Sequence, residues 1–112
     1  MDVVSIREEM IREARAAADA MYKRLGGDGM ACGFAWVTVY PKYKGNTRSG
    51  REERRVFKEL GLRKDWTEKN YEIWNPSGSP VQNIDIKEAG ANAAALVLRR
   101  HGFDAYPHSR LD

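Results

Sequence analysis

The chain has 112 residues, 42% apolar and 31% charged, the composition of one globular domain that buries roughly 60–70% of its unfolded surface rather than of a disordered or fibrous chain. No apolar run approaches the ~20 residues that span a bilayer, and an N-terminus carrying Asp2, Glu8, Glu9 and Glu13 lacks the layout of a secretion signal, so a cytoplasmic protein with no membrane partner is expected. One cysteine, Cys32, excludes an intrachain disulfide, and the net charge of +3 is unevenly spread: residues 42–58 hold seven cations against Glu52 and Glu53, a net of +5 that leaves −2 for the rest.

Residues 5–25 read as a long amphipathic helix. Ser5 and Glu8 have capping-box spacing, Gly26-Gly27 supplies the stop, and Ile6, Met10, Ala14, Ala17, Met21 and Leu25 recur at three and four residues to form one apolar stripe. The glycines of "GGDG" then read as a flexible joint. The expected organisation is therefore an N-terminal helix and joint over 1–28, followed by a single α+β unit over 29–112.

"CGFAWVTVY" is the clearest strand, closed by Pro41. Alternation puts Ala35, Val37 and Val39 on one face and Phe34, Trp36, Thr38 and Tyr40 on the other. The aliphatic set suits packing under helices, so Val37 is expected in the core and Thr38 outside it. Ser49 and Glu52 form a second capping box, opening a helix that ends at Leu60-Gly61. "YEIWN" and "VQNID" read as two short strands around the turn-rich Pro76-Ser77-Gly78-Ser79-Pro80. Asp85 and Glu88 then cap an alanine-rich helix ending at Gly102, and "FDAYP" supplies a last strand. After the first helix the order is β-α-β-β-α-β, which predicts a ferredoxin-like antiparallel sheet with helices packed on one face.

"GNTRSGRE", residues 45–52, approaches a phosphate-binding loop, because Gly45 and Gly50 have its spacing. Arg51 and Glu52 stand where that loop needs a lysine and a hydroxyl, so nucleotide hydrolysis is excluded. A helix start beside Arg48 and Arg51 still suits a backbone phosphate. Lys42, Lys44, Arg48, Arg51, Arg54, Arg55 and Lys58 are accordingly the expected contacts to a nucleic-acid backbone. Cys32, His101 and His108 have no metal-ligand spacing, no cofactor is implied, and no catalytic constellation stands out.

The aromatic strand face has two readings. Trp36 and Tyr40, joined by Trp74 and Tyr106 if the register allows, would stack unpaired bases if bare. Alternatively the first helix, whose stripe must be buried somewhere, covers this face on its own chain or on a partner's, and a homodimer held by that helix is the expected oligomer. The leading expectation is a non-catalytic binding module for nucleic acid. A structural protein that self-associates through the first helix comes second, and a small enzyme third.

Two segments, "CGFAWVTV" (32–39) and "KEAGANAAALVLRRHGFDAYPHSRLD" (87–112), resemble parts of small bacteriophage-encoded proteins of unassigned function. Those pair such a strand with an alanine-rich helix and a terminal motif matched here by Ser109, Arg110 and Asp112. The resemblance implies a phage or environmental origin and carries no activity.

Overall fold

The computed structural model describes residues 1–29 and 31–112. Its elements are α1 Val3–Leu25, β1 Gly33–Val39, α2 Arg48–Glu59, β2 Arg63–Lys64, β3 Tyr71–Trp74, α3 Ile84–Arg100 and β4 Ala105–Leu111. The fold is α+β: an N-terminal helix precedes a four-stranded sheet in the order β2-β3-β1-β4, with every neighbouring pair antiparallel.

The strand alternation read from the sequence holds. Ala35, Val37 and Val39 are 0–1% exposed and share one core with Tyr71, Phe57, Ala91, Ala94 and Leu98. All three helices contribute to that core, so they lie on the same side of the sheet as these strand residues. Thr38 departs from expectation. It points to the opposite face yet is only 7% exposed, enclosed by the larger side chains around it.

α1 is not an appendage. Its Val3, Ile6, Met10 and Ala14 join the core, and it packs along α3. Small residues allow the close approach: a Cβ on Gly90 would lie 3.4 Å from the carbonyl oxygen of Ala14 and 2.8 Å from the Ser77 side chain. The buried stripe continues through Ala18 and fades at Leu25, which is exposed. The predicted joint is also tied down, since the Asp28 carboxylate accepts from the backbone N–H of Asn83 at 3.0 Å. The first half of the stripe on which the expected dimer rested, Ile6, Met10 and Ala14, is therefore buried inside the chain, Ala17 and Met21 are half-buried, and α1 packs on the helical side of the sheet rather than on the aromatic face.

All three helix starts differ from the predicted capping boxes. Asp2, not Ser5, caps α1 by accepting from Ser5 N; Thr47 caps α2 by accepting from Gly50 N; Asn83 caps α3 by accepting from Ile86 N. In each case a short polar side chain just upstream reaches the free N–H groups of the first turn. Asn83 also explains why "VQNID" is not a strand. That segment forms only an isolated bridge, Cys32 to Asn83, before turning into α3. The second strand is instead Arg63–Lys64, pairing with Glu72 and Tyr71; two exposed charged residues at a sheet edge leave no hydrophobic signature. The last strand is longer than "FDAYP" and later: β4 runs through Leu111, so the terminal Ser109 and Arg110 pair with Ala35 and Phe34 of β1.

Candidate nucleic-acid interface

The face of the sheet opposite the helices carries Phe34, Trp36, Thr38 and Tyr40 from β1, Glu72 and Trp74 from β3, and Tyr106, His108 and Arg110 from β4. Register brings Trp36 opposite Trp74 and His108, and Thr38 opposite Glu72 and Tyr106. The indoles of Trp36 and Trp74 stack at 4.6 Å between centroids and 17° between planes. His108 stacks on the other side of Trp36 at 5.7 Å, and Phe34 meets Trp74 edge-on at 6.1 Å. Arg110 lies over the Phe34 ring, 5.4 Å from its centroid. Farther along, Tyr40 and Tyr106 approach to 5.9 Å. The Tyr106 phenol is held above its ordinary pKa, chiefly by its hydrogen bond to the Asp104 carboxylate, so it stays a neutral ring at physiological pH.

This face is floor to an open groove of about 470 Å³, walled on one side by the turn between β2 and β3. That turn is built by its own side chains. Asp65 Oδ1 accepts from Thr67 N at 3.0 Å and from Thr67 Oγ1 at 2.6 Å, Thr67 Oγ1 accepts from Lys69 N at 3.1 Å, and Asp65 N donates to Asn70 O at 2.9 Å. On this braced turn Trp66 is 91% exposed. A rigid backbone that presents a bare indole is an interaction feature rather than a packing one. Sequence reasoning missed Trp66; the Asp65-x-Thr67 spacing, an Asx-turn signature, was the available signal.

Beyond the same turn lies a second groove of about 590 Å³, lined by Arg51, Arg54, Arg55, Lys58 and Lys64 with Glu68. Of the expected backbone contacts, several are occupied. Arg54 donates to the carbonyls of Tyr43 and Gly50, both at 3.0 Å. Arg55 is clamped between Glu52 and Glu59, and its hydrogen bond holds the Glu52 carboxyl below its ordinary range. Lys42 donates its Nζ to Gly102 O. Arg51 makes one bond, to Asn46 O at 3.2 Å. The side chains of Lys44, Lys58 and Arg48 make no hydrogen bond or ion pair among the described residues, and neither does that of Lys64, which is absent from the expected set. Arg48 and Arg51 line different cavities, Arg51 the cationic groove and Arg48 one on the Tyr40 side of α2.

Gly50 of "GNTRSGRE" is explained by packing. A Cβ on Gly50 would lie 1.8 Å from the carbonyl oxygen of Lys44, so loop 41–47 folds flat onto the first turn of α2. Glu53 seals the fold-back by accepting from the backbone N–H of Lys42 at 2.9 Å and of Tyr43 at 3.2 Å. Glu52 is not a capping-box partner, since Thr47 takes that place.

Among the described residues no group of three or more His, Cys, Asp or Glu is placed to hold a metal ion, and no helix is long and apolar enough to cross a membrane. No protein-family model matches this chain, and neither a curated protein nor a solved structure is significantly similar to it.

Proposed function

We propose that this protein is a non-catalytic binding module for single-stranded nucleic acid. Bases stack on the Trp36–Trp74 platform, and the backbone passes the β2–β3 turn into the cationic groove. The observation that carries this reading is the uncovered sheet face on which two stacked indoles lie beside a third, Trp66, that is 91% exposed. A base–aromatic stack contributes about 1–3 kcal/mol and accepts any base, because every base has a π-face. The turn that presents Trp66 to one groove presents Glu68 to the other, so the two grooves are neighbours.

Charge favours a polyanion on this path. Glu72, the carboxylate of the platform, accepts from Trp74 Nε1 at 2.8 Å, and Asp65 is committed within its turn. Arg51, Lys58 and Lys64 remain to meet phosphates. A ferredoxin-like reading of the fold agrees with this use. It is supported by β1 lying between β3 and β4, by β2 beside β3, and by one helix in each crossover. Self-association through α1 is no part of the proposal, since the first half of that helix's apolar stripe lies in its own core.

Fluorescence anisotropy with labelled single-stranded and duplex oligonucleotides, at about 50 and 200 mM salt, tests the proposal. Three phosphate contacts give a log–log salt slope near −2 for a single strand. Single strands should bind more tightly than duplex. Absence of binding at the lower salt, or tighter binding to duplex, would overturn it.

A further inference from the structure

A cavity of about 460 Å³ opens between α2, the end of β1 and the turn after α3, sharing only Tyr40 with the platform groove. Val56 and Phe103, both partly buried, form its floor above Phe57, and Tyr40 and Tyr43 stand at its mouth. That volume and apolar floor are those of a small-molecule site.

The charged groups at its rim divide sharply into occupied and free. Glu53 accepts two backbone N–H groups and lies 3.5 Å from Arg54. Glu52 is bound by Arg55. Lys42 is spent on Gly102 O, His101 on Glu9 at 2.7 Å, and Asp104 on the Tyr106 hydroxyl. Among the charged side chains lining the cavity, that of Arg48 alone has no hydrogen bond or ion pair among the described residues; Met1, with its α-ammonium, also lines it. The field left over is positive, from the Arg48 guanidinium and the chain's α-ammonium, beside an apolar surface.

We propose that this cavity binds a small amphipathic anion, an aromatic or aliphatic body bearing one carboxylate, sulfonate or phosphate. The body lies on Val56 and Phe103, and the head meets Arg48. The guanidinium fork matches such oxygens two at a time, and an apolar wall on one side strengthens the attraction by excluding water. A cationic ligand finds no free carboxylate here. The site shares Tyr40 with the platform groove but neither Trp36 nor Trp74, so substitutions at the indoles and at Arg48 separate the two proposals.

The test is a fluorescence titration with 8-anilinonaphthalene-1-sulfonate, with thermal melts confirming that every variant is folded. Saturable one-site binding is expected. Arg48→Gln should weaken it roughly tenfold, the worth of a hydrogen bond to a charged group. The uncharged analogue N-phenyl-1-naphthylamine should be indifferent to Arg48→Gln. Val56→Glu, which sets a carboxylate on the floor, should abolish dye binding, and Trp36→Ala should not alter it. Displacement by naphthalene carboxylate but not by naphthyl phosphate, or the reverse, identifies the preferred head group. No saturable binding, equal binding to the Arg48→Gln protein, displacement by neither anion, or loss on Trp36→Ala would overturn the proposal.

Discussion

Trp36 and Trp74 are cross-strand partners whose indoles stack face to face at 4.6 Å on the side of the sheet that no helix covers. A buried pair in that geometry would be ordinary packing, worth about 0.5–1.5 kcal/mol beyond its burial. Here Trp74 remains 36% exposed, so part of its ring is free for a further stack. Trp74→Ala should cost little stability and weaken single-strand binding by about 1–3 kcal/mol, roughly 5- to 150-fold. Trp66→Ala should leave the melting temperature unchanged and also weaken binding. Anisotropy and thermal melts on the same samples separate the two effects; unchanged affinity in both variants would remove the platform from the function.

Val37 and Thr38 are neighbours that point to opposite faces of β1, both buried, Val37 in the apolar core and Thr38 beside the groove. Val37→Asp buries a carboxylate among Ala35, Phe57 and Leu98 with nothing to pair it. That should cost about 3–5 kcal/mol, a large part of the ~5–15 that a domain has. Thr38→Asp faces the groove opposite Glu72, and like charges across a strand pair should cost about 1–2 kcal/mol. Urea unfolding of both variants checks the order; equal losses would contradict the assignment of the two faces.

Gly50 and Gly45 make a second contrast. Gly50→Ala forces a methyl onto the Lys44 carbonyl, 1.8 Å away, and should destabilise by about 3 kcal/mol or more, because backbone must move. At Gly45 the nearest atom is Arg54 Nε at 3.3 Å, the end of a long side chain that can shift. Gly45→Ala should be nearly neutral by denaturant unfolding.

Met10 is fully buried in α1. Met10→Ala should cost about 2–5 kcal/mol, and a chain starting at Ala31 should lack a cooperative thermal transition, having lost one wall of the core. A well-folded product of that truncation, judged by circular dichroism, would contradict the place of α1 in the core.

Glu9 links α1 to the end of α3. Its pKa is lowered, first by the hydrogen bond from His101 and then by the charges of His101, Arg100 and Arg12, against some desolvation. A carboxyl whose folded pKa lies below its ordinary 4.5 contributes stability above that value and loses it as pH falls through the folded pKa. Melting temperature should therefore drop on acidification below about pH 4.5, and Glu9→Gln should drop less over the same range. Parallel curves for the two proteins would show that the contact adds no stability.

The alternation of "CGFAWVTVY" was enough to assign both faces of β1, because side chains on a strand point up and down in turn whatever surrounds them. The long first helix and its glycine stop were legible for the same local reason. The basic character of residues 42–58 was equally plain, since charge is a property of composition.

Tertiary structure decided which of those charges are free. Glu52, Glu53 and Glu59 are close to their arginines in sequence, but only the fold-back of loop 41–47 onto α2 brings the Tyr43 carbonyl to Arg54 and the backbone N–H groups of Lys42 and Tyr43 to Glu53. Capping was misread because Ser5, Ser49 and Asp85 stand two or three residues after the true caps and have the same short polar side chains, and the path of the chain upstream decides where each helix starts. β2 left no pattern, because two charged residues at an edge are held by hydrogen bonds to β3 rather than by their side chains. The bare platform was the largest matter for the third dimension. An apolar stripe on residues 3–18 records that it must be buried, not against what; the small residues of α3 let α1 settle there, and the opposite face of the sheet was left open.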